Sequence, residues 1–302
     1  MPALVIRVDA SPRIGAGHAM RCATLAEAWI GAGLGDAIFW GDISLQFVKA
    51  RVQQAGVPVV EAGHAVPGDG AVICDSYDPD VRSSVAKEKQ FDIRVLVDDL
   101  GGAVAGGFDA VWNPNAYGSA AMYPGFHGEV LAGPTYVPIR PDIPSWTRKG
   151  THGTAVMLGG SNAIPAPVKS ALANLASEPL LTPFSGVGSW VPREWTMLDE
   201  MNPWPGIVRC ERLITASGVT TWEAAMAGIP VVMLLLAGNQ SRIFEWAVAS
   251  GAPGIDATHV EERVLRERLA AALGGARRLP AIENGAGRVR DFVRNAIAGA
   301  SR

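Results

Sequence analysis

Short apolar runs alternate along the chain with longer segments of helical composition. Residues 4–8 have the composition of a β-strand, and residues 18–32 form an alanine- and leucine-rich segment that predicts a helix. Further strands are predicted at 36–40, 57–60, 71–74 and 93–97, with a helix at 45–54. Strands that alternate with helices at this spacing predict an α/β protein with a parallel, doubly wound sheet.

The pattern starts again in the second half of the chain. A strand at 154–158 runs into a glycine turn and a helix, and two amphipathic helices are predicted within 260–302. Between the halves, residues 109–146 are rich in proline, glycine and aromatic residues, which is typical of a connection between domains. We therefore predict two Rossmann-like domains, residues 1–147 and residues 148–302, with an interdomain cleft.

Composition narrows the class of protein. Of the 302 residues, 48% are hydrophobic and 18% are charged, and the formal net charge is −3, so nucleic acid is not an expected partner. The three cysteines, Cys22, Cys74 and Cys210, are too widely spaced to indicate a disulfide framework or a zinc site. The longest apolar run, 229–238, is too short to cross a membrane. We expect a cytoplasmic protein, monomeric and without a membrane partner.

The turn between the first strand and the first helix is the most informative segment. Gly15 and Gly17 permit positive φ and a close approach of the backbone to a ligand, and the helix start offers unpaired N–H groups. Open α/β sheets bind ligands at such carboxyl strand ends. The spacing Gly15-Ala16-Gly17-His18 lacks the third glycine of the dinucleotide fingerprint, so no nicotinamide or flavin cofactor is expected.

His18, at the start of this helix, has two interpretations. A lone histidine near a helix end is often a cap or a packing residue. The glycine turn favours a catalytic role instead, because the helix dipole disfavours the charged imidazole and a general base must be neutral. We predict that His18 is a general base.

Polar side chains follow two other predicted strands. Asp75 and Tyr77 come after the strand at 71–74, where they contact a ligand or, on an equally weighted alternative, form an Asx turn that caps the next helix. Asp98 and Asp99 come after the strand at 93–97. A carboxylate pair without histidines at ligand spacing is a weak indication of a metal, so no metal site is predicted.

In the second half, a short strand enters Ser217-Gly218-Val219-Thr220, and Glu223 lies one turn into the helix that follows. A Ser-Gly turn at a helix start suits a phosphate group, and Glu223 could accept a bidentate bond from a ribose diol. The alternative for Glu223 is a glutamate that only complements the helix dipole.

Taken together, the motifs resemble a known family. They are RVDASPRIGAGHAMRC, CDSYD, VDD, WNPNAYG, YVPIR, MLGGSN, TASGVTTWEAAMAGIPVV and GNQ, and they span nearly the whole chain. The chain resembles the UDP-sugar hydrolases of pseudaminic acid biosynthesis, which act on UDP-2,4-diacetamido-2,4,6-trideoxy-β-L-altrose. The resemblance implies the glycosyltransferase-B architecture and hydrolysis at the anomeric carbon by water, with inversion.

The resemblance also implies roles for individual residues. His18 matches the family's base, Tyr77 matches a tyrosine near the sugar, and Asn239 and Gln240 match a turn that faces sugar and phosphate. The full set of predicted substrate-binding residues comprises Arg13, Gly15, Gly17, Tyr77, Gly160, Ser161, Asn162, Ser217, Gly218, Thr220, Glu223, Asn239 and Gln240. Two alternatives to hydrolysis of a UDP-sugar are a glycosyltransferase with the same donor and a non-catalytic module that binds a sugar nucleotide.

Overall fold

The computed structural model describes residues 2–104, 106–143, 150, 153–159, 164–175, 180–182, 191–199 and 202–300. The chain divides into two compact units. Unit 1 comprises Met1–Arg140 and Glu283–Arg302, and unit 2 comprises Pro141–Ile282. Each unit contains a sheet whose paired strands are parallel, with helices between the strands. The predicted α/β class with parallel sheets is therefore confirmed.

The sheet of unit 1 has seven strands. In chain order they are β1 (Ala3–Val8), β2 (Ala37–Trp40), β3 (Val59–Val60), β4 (Gly70–Asp75), β5 (Ile93–Val97), β6 (Ala110–Trp112) and β7 (Glu129–Leu131). Their order across the sheet is β3-β2-β1-β4-β5-β6-β7, and every pair is parallel. The helices of this region are α1 (Gly17–Gly31), α2 (Gln46–Gln54) and α3 (Pro79–Ala86).

Unit 2 contains a second parallel sheet. Its strands are β8 (Thr154–Met157), β9 (Leu180–Thr182), β10 (Thr196–Met197), β11 (Arg212–Ala216), β12 (Val231–Leu235) and β13 (Gly254–Asp256), in the order β10-β9-β8-β11-β12-β13. Its helices are α4 (Ala166–Ala173), α5 (Trp204–Ile207), α6 (Val219–Ala227), α7 (Ser241–Ala249) and α8 (Glu262–Leu273). Helix α4 packs with α8 through a shared apolar core that includes Leu172 and Leu265.

The last helix, α9 (Ala286–Ala300), belongs to unit 1 although it follows the whole of unit 2. Val289, Val293 and Ile297 recur at a spacing of four residues and are buried in the same apolar core as Trp29 of α1. This differs from the predicted division, which assigned residues 148–302 to one domain. The amphipathic pattern predicts the helix but does not specify the sheet against which it packs.

The proline-rich segment also differs from its predicted role as a connection. Strands β6 and β7 extend the first sheet at its β5 edge, and Trp112 is fully buried in the core of unit 1. Each of these strands has only three residues, too few to show a clear period of two in the sequence.

The central strands of unit 1 are buried on both faces, as parallel strands usually are. In β1, Leu4 and Ile6 pack in the core with α1, whereas Val5 packs on the other face with Val72 of β4. The register pairs Val8 with Asp75, so the carboxyl ends of β1 and β4 lie side by side. Among the helices of the described residues, none combines the length and apolar character that a membrane span needs.

Candidate active site

The turn before α1 is closed by its own hydrogen bonds. The Gly15 N–H donates to the Ser11 carbonyl at 2.7 Å, and the Ile14 N–H donates to Ser11 Oγ at 3.1 Å. Gly15 has φ of 90°, a backbone conformation that favours glycine, as the sequence predicts. Gly17 is instead the first residue of the helix. This glycine turn places His18 at the start of α1, near the sheet edge where β1 and β4 end.

His18 contacts Asp75, the last residue of β4. Nδ1 of His18 lies 2.5 Å from Oδ1 of Asp75. The Asp75 side chain is 1% exposed and that of His18 is 12% exposed. An ionised carboxylate only accepts hydrogen bonds, so Nδ1 carries a proton, and in the neutral form of the ring Nε2 is the nitrogen with the free lone pair. This tautomer suits a base that acts through Nε2.

Arg21, one turn after His18 on the same helix, binds the same carboxylate. Its Nε donates to Asp75 Oδ2 at 2.7 Å and its Nη2 donates to Oδ1 at 2.7 Å, the bidentate geometry of a strong arginine–carboxylate pair. Cys22 Sγ also donates to Oδ2, at 3.4 Å. Both oxygens of Asp75 therefore accept two bonds each.

Tyr77 and Asp99 complete this group of side chains. The Tyr77 hydroxyl donates to Asp99 at 2.7 Å and 2.9 Å, and Arg21 Nη1 donates to Asp99 Oδ2 at 3.1 Å. The Tyr77 ring meets the His18 ring edge to face, with centroids 4.7 Å apart. Tyr77 is 42% exposed, so its side chain lies beside the histidine and is partly open to solvent.

The charges of this group fix the protonation of its buried members. Burial alone would raise the pKa of Asp75, but the attraction of Arg21 and His18 outweighs burial and holds the pKa well below its usual range. Burial would lower the pKa of Arg21, yet Asp75 and Asp99 raise it above the ordinary value. Partial burial and the Asp99 charge raise the pKa of Tyr77. Asp75 is thus an anion beside a cationic guanidinium.

The Asx-turn alternative for Asp75 is not what the structure shows. The residue that caps α3 is Asp78, whose side chain accepts the N–H of Asp80 at 2.8 Å. Asp75 instead faces α1 and binds His18 and Arg21. The carboxyl ends of neighbouring strands do gather the predicted polar residues at one edge of the sheet.

Asp98 stabilises the turn that carries Asp99. Its Oδ2 accepts the N–H groups of Leu100 and Gly101, and its Oδ1 accepts Arg82 Nη1 at 3.2 Å. Its carbonyl accepts the Tyr123 hydroxyl at 2.6 Å, and the same hydroxyl accepts Nδ2 of Asn113 at 2.9 Å. Asn113 of the WNPNAYG motif therefore helps, through Tyr123, to hold the turn that carries Asp99.

In unit 2, the structure places the predicted phosphate turn between β11 and α6. Gly218 precedes the helix in an extended conformation, and Gly228 ends the helix in the left-handed conformation with φ of 65°. Ser217 is buried, and its hydroxyl donates to the Leu234 carbonyl at 3.2 Å. Thr220 lies in the first turn, in which the N–H of the next residue, Thr221, donates to the Gly218 carbonyl at 2.9 Å.

The remaining predicted residues of unit 2 have different surroundings. Glu223 is 7% exposed within α6, one turn from the helix start. Asn239 is exposed after β12, and the Gln240 side chain turns back so that its Oε1 accepts the Leu236 N–H at 3.0 Å. Arg13 is exposed in the turn before α1. The predicted residues Gly160, Ser161 and Asn162 lie outside the described residues.

Sequence reasoning missed Arg21. The spacing of three residues between His18 and Arg21 places both on one face of α1, and this spacing is the signal that could have identified the arginine. In the ranges that the structure describes, no group of three or more His, Cys, Asp or Glu residues is arranged to hold a metal ion.

Comparisons with solved structures identify the fold. No family model and no curated protein matches the sequence. The spinosyn rhamnosyltransferase SpnG complexed with thymidine diphosphate is 16% identical with a TM-score of 0.61, over 99% of this chain and 96% of SpnG. The spinosyn forosaminyltransferase SpnP is 16% identical with a TM-score of 0.56, over 99% and 95% of the two chains.

An enzyme of another class has a similar structure. A protein from Listeria monocytogenes described as a UDP-N-acetylglucosamine 2-epimerase is 10% identical with a TM-score of 0.56, over 97% of this chain and 94% of that one. Likeness at this identity shows the fold alone. The chain therefore has the α/β fold of the glycosyltransferase-B enzymes, which the family resemblance implied.

Proposed function

We propose that this chain cleaves the anomeric C–O bond of a UDP-sugar and transfers the glycosyl group, with inversion, to an oxygen nucleophile deprotonated by His18. The observation that carries the proposal is the hydrogen bond from His18 Nδ1 to Asp75 Oδ1. Because Nδ1 makes this bond, Nε2 of the largely buried imidazole is the proposed proton acceptor, at the carboxyl edge of a parallel sheet.

The proposed step balances as one displacement. The nucleophile's oxygen forms a bond to the anomeric carbon as the bond to the diphosphate oxygen breaks, and the electron pair leaves with UDP. The nucleophile's proton goes to His18 Nε2. Asp75 stays ionised, because Arg21 binds both of its oxygens, and it stabilises the imidazolium that forms. No covalent enzyme intermediate is needed.

Unit 2 supplies the residues proposed for the leaving group. The first turn of α6, after Gly218, presents N–H groups and a positive dipole end that suit the developing charge on UDP. Glu223 is proposed to accept hydrogen bonds from the ribose. Asn239, on the exposed turn after β12, is proposed to face the phosphate or sugar.

The first candidate for the nucleophile is the hydroxyl of a second substrate. The support is the likeness of the whole chain to SpnG and SpnP, which are named as glycosyltransferases. In this case UDP release would depend on an acceptor.

The second candidate is water. The motifs that resemble the hydrolases of pseudaminic acid biosynthesis support it, and they suggest UDP-2,4-diacetamido-2,4,6-trideoxy-β-L-altrose as the substrate. Both candidates use His18 in the same way and differ only in the molecule that it deprotonates.

One assay tests the proposal and separates the two candidates. Purified protein is incubated with a panel of UDP-sugars that includes the diacetamido-trideoxyhexose, with and without a panel of hydroxyl acceptors, and free UDP is measured. Release without acceptor identifies a hydrolase, and release only with acceptor identifies a transferase. If the parent protein bound UDP-sugars but released no UDP under either condition, the chain would be a non-catalytic binding module and the proposal would be contradicted.

A further inference from the structure

The group of side chains around His18 carries more negative than positive charge. Asp75 and Asp99 are two carboxylates, and Arg21 is the cation that binds both. The group therefore has a net charge of −1 while His18 is neutral and becomes neutral when His18 is protonated. The Arg21 and Asp75 side chains are 7% and 1% exposed and that of Asp99 is 14% exposed, so water screens these charges only weakly.

Asp99 is the source of the surplus charge. Asp75 and Arg21 form a bidentate pair that is neutral by itself. Asp99 lies on the other side of the guanidinium, where it accepts Arg21 Nη1 and the Tyr77 hydroxyl. Because arginine and tyrosine are both donors here, Asp99 is bound as the ionised carboxylate.

We propose that Asp99 is a positioning residue that makes His18 a stronger base, acting through Arg21 and Tyr77 without touching the histidine. The negative charge of Asp99 offsets the positive charge of Arg21. Arg21 therefore weakens the attraction between Asp75 and the protonated His18 ring less than it would without Asp99. Its hydrogen bond from Tyr77 also holds the tyrosine ring against the imidazole. This inference rests on the proposed function for its catalytic consequence, but the coupling of charges is independent of any reaction.

The other charged and titratable groups near His18 do not supply this charge. Cys22 is a buried thiol whose pKa burial and Asp75 raise, so it is neutral. Asp98 is bound by Arg82 and by two backbone N–H groups. The groups that contact His18 are Arg21 on its own helix, Asp75 at the end of β4 and Tyr77 after β4. Asp99, after β5, contacts Arg21 and Tyr77.

The test compares Asp99→Asn with Tyr77→Phe. Asparagine keeps the shape and acceptor oxygen of Asp99 and removes its charge, whereas phenylalanine keeps both carboxylates and removes the hydroxyl. The readout is the NMR titration of the His18 ring in full-length protein, with His18→Gln used to assign its signal among the five histidines. Asp99→Ser serves in place of Asp99→Asn if the asparagine variant does not fold.

We expect the His18 titration midpoint in Asp99→Asn to move to lower pH by about one unit, because a unit charge several ångströms away is removed from a weakly screened site. In Tyr77→Phe the midpoint should move by less than half of that shift. A midpoint equal to the parent's in Asp99→Asn, or an equal shift in both variants, would overturn the proposal.

Kinetics then separate this inference from the proposed function. If the parent releases UDP, the acid limb of the rate profile of Asp99→Asn should follow the NMR shift. If the parent releases no UDP but the NMR midpoint shifts as expected, the proposed function fails and the charge coupling stands. If UDP is released and the midpoint does not shift, the proposed function stands and the charge coupling fails.

Discussion

Oδ1 of Asp75 accepts two hydrogen bonds at once, from His18 Nδ1 at 2.5 Å and from Arg21 Nη2 at 2.7 Å. Asp75 ends β4, and both donors lie in the first two turns of α1. A single carboxylate thus fixes the tautomer of the proposed base and joins it to a cation. The predictions for Asp75 and His18 depend on this arrangement.

Asp75→Asn tests the role of the carboxylate directly. Asparagine fits the same space, but its amide cannot provide the charge that stabilises the imidazolium, and it allows the wrong tautomer of His18. We expect turnover to fall by about 100-fold or more. Steady-state kinetics measured on a variant shown by circular dichroism to be folded would check this, and turnover near the parental rate would exclude Asp75 from the mechanism.

The lowered pKa of Asp75 also predicts a pH dependence of stability. A carboxylate whose pKa is lower in the folded state stabilises the fold above its unfolded value, about 3.9, and this contribution is lost as pH falls toward the folded pKa. The free energy of unfolding should therefore decrease below about pH 4. Denaturant titrations at pH 7, 5, 4 and 3 measure it, with Asp75→Asn as the control. If the free energy of unfolding changed with pH equally in the parent and in Asp75→Asn, the lowered pKa of Asp75 would be refuted.

Glu223→Ala should weaken the binding of UDP itself, because the proposed lost bonds are to the ribose. Loss of charged hydrogen bonds should cost about 1.5–3 kcal/mol, or roughly 10- to 150-fold in Kd. Isothermal titration calorimetry with UDP measures this. Glu261→Ala, at an exposed glutamate of the same unit, is the matched control and should leave Kd unchanged. Affinity equal to the parent's in Glu223→Ala would remove the glutamate from the site.

Helix α9 should stabilise unit 1 although it comes last in the chain. Ile297 is buried in the core shared with α1, so Ile297→Ala should destabilise unit 1 by about 2–5 kcal/mol. Arg294→Ala, on the exposed face of the same helix, should change stability by less than about 0.5 kcal/mol. Hydrogen exchange of the β1 and β4 amides reports on unit 1 separately. Unchanged protection of these strands in Ile297→Ala would contradict the assignment of α9.

The sequence predicts much of the fold and part of the site. The glycine turn, His18 and the polar strand ends after β4 and β5 follow from residue types at the ends of predicted strands. The pairing of His18 with Asp75 could not be predicted, because the two residues are 57 positions apart and sequence gives no strand order. Strands β6 and β7 are too short for their period to be read, and the apolar stripe of α9 does not specify which of the two sheets the helix packs against.

The central claim is that Nε2 of His18 deprotonates the nucleophile that displaces UDP. It is tested most directly by single-turnover UDP release from His18→Asn, beside equilibrium binding of the same UDP-sugar. We predict that binding stays within a few-fold of the parent's while the rate falls by about 100-fold or more, because asparagine fills the turn but accepts no proton. A variant that binds the UDP-sugar and releases UDP at the parental rate would contradict the claim.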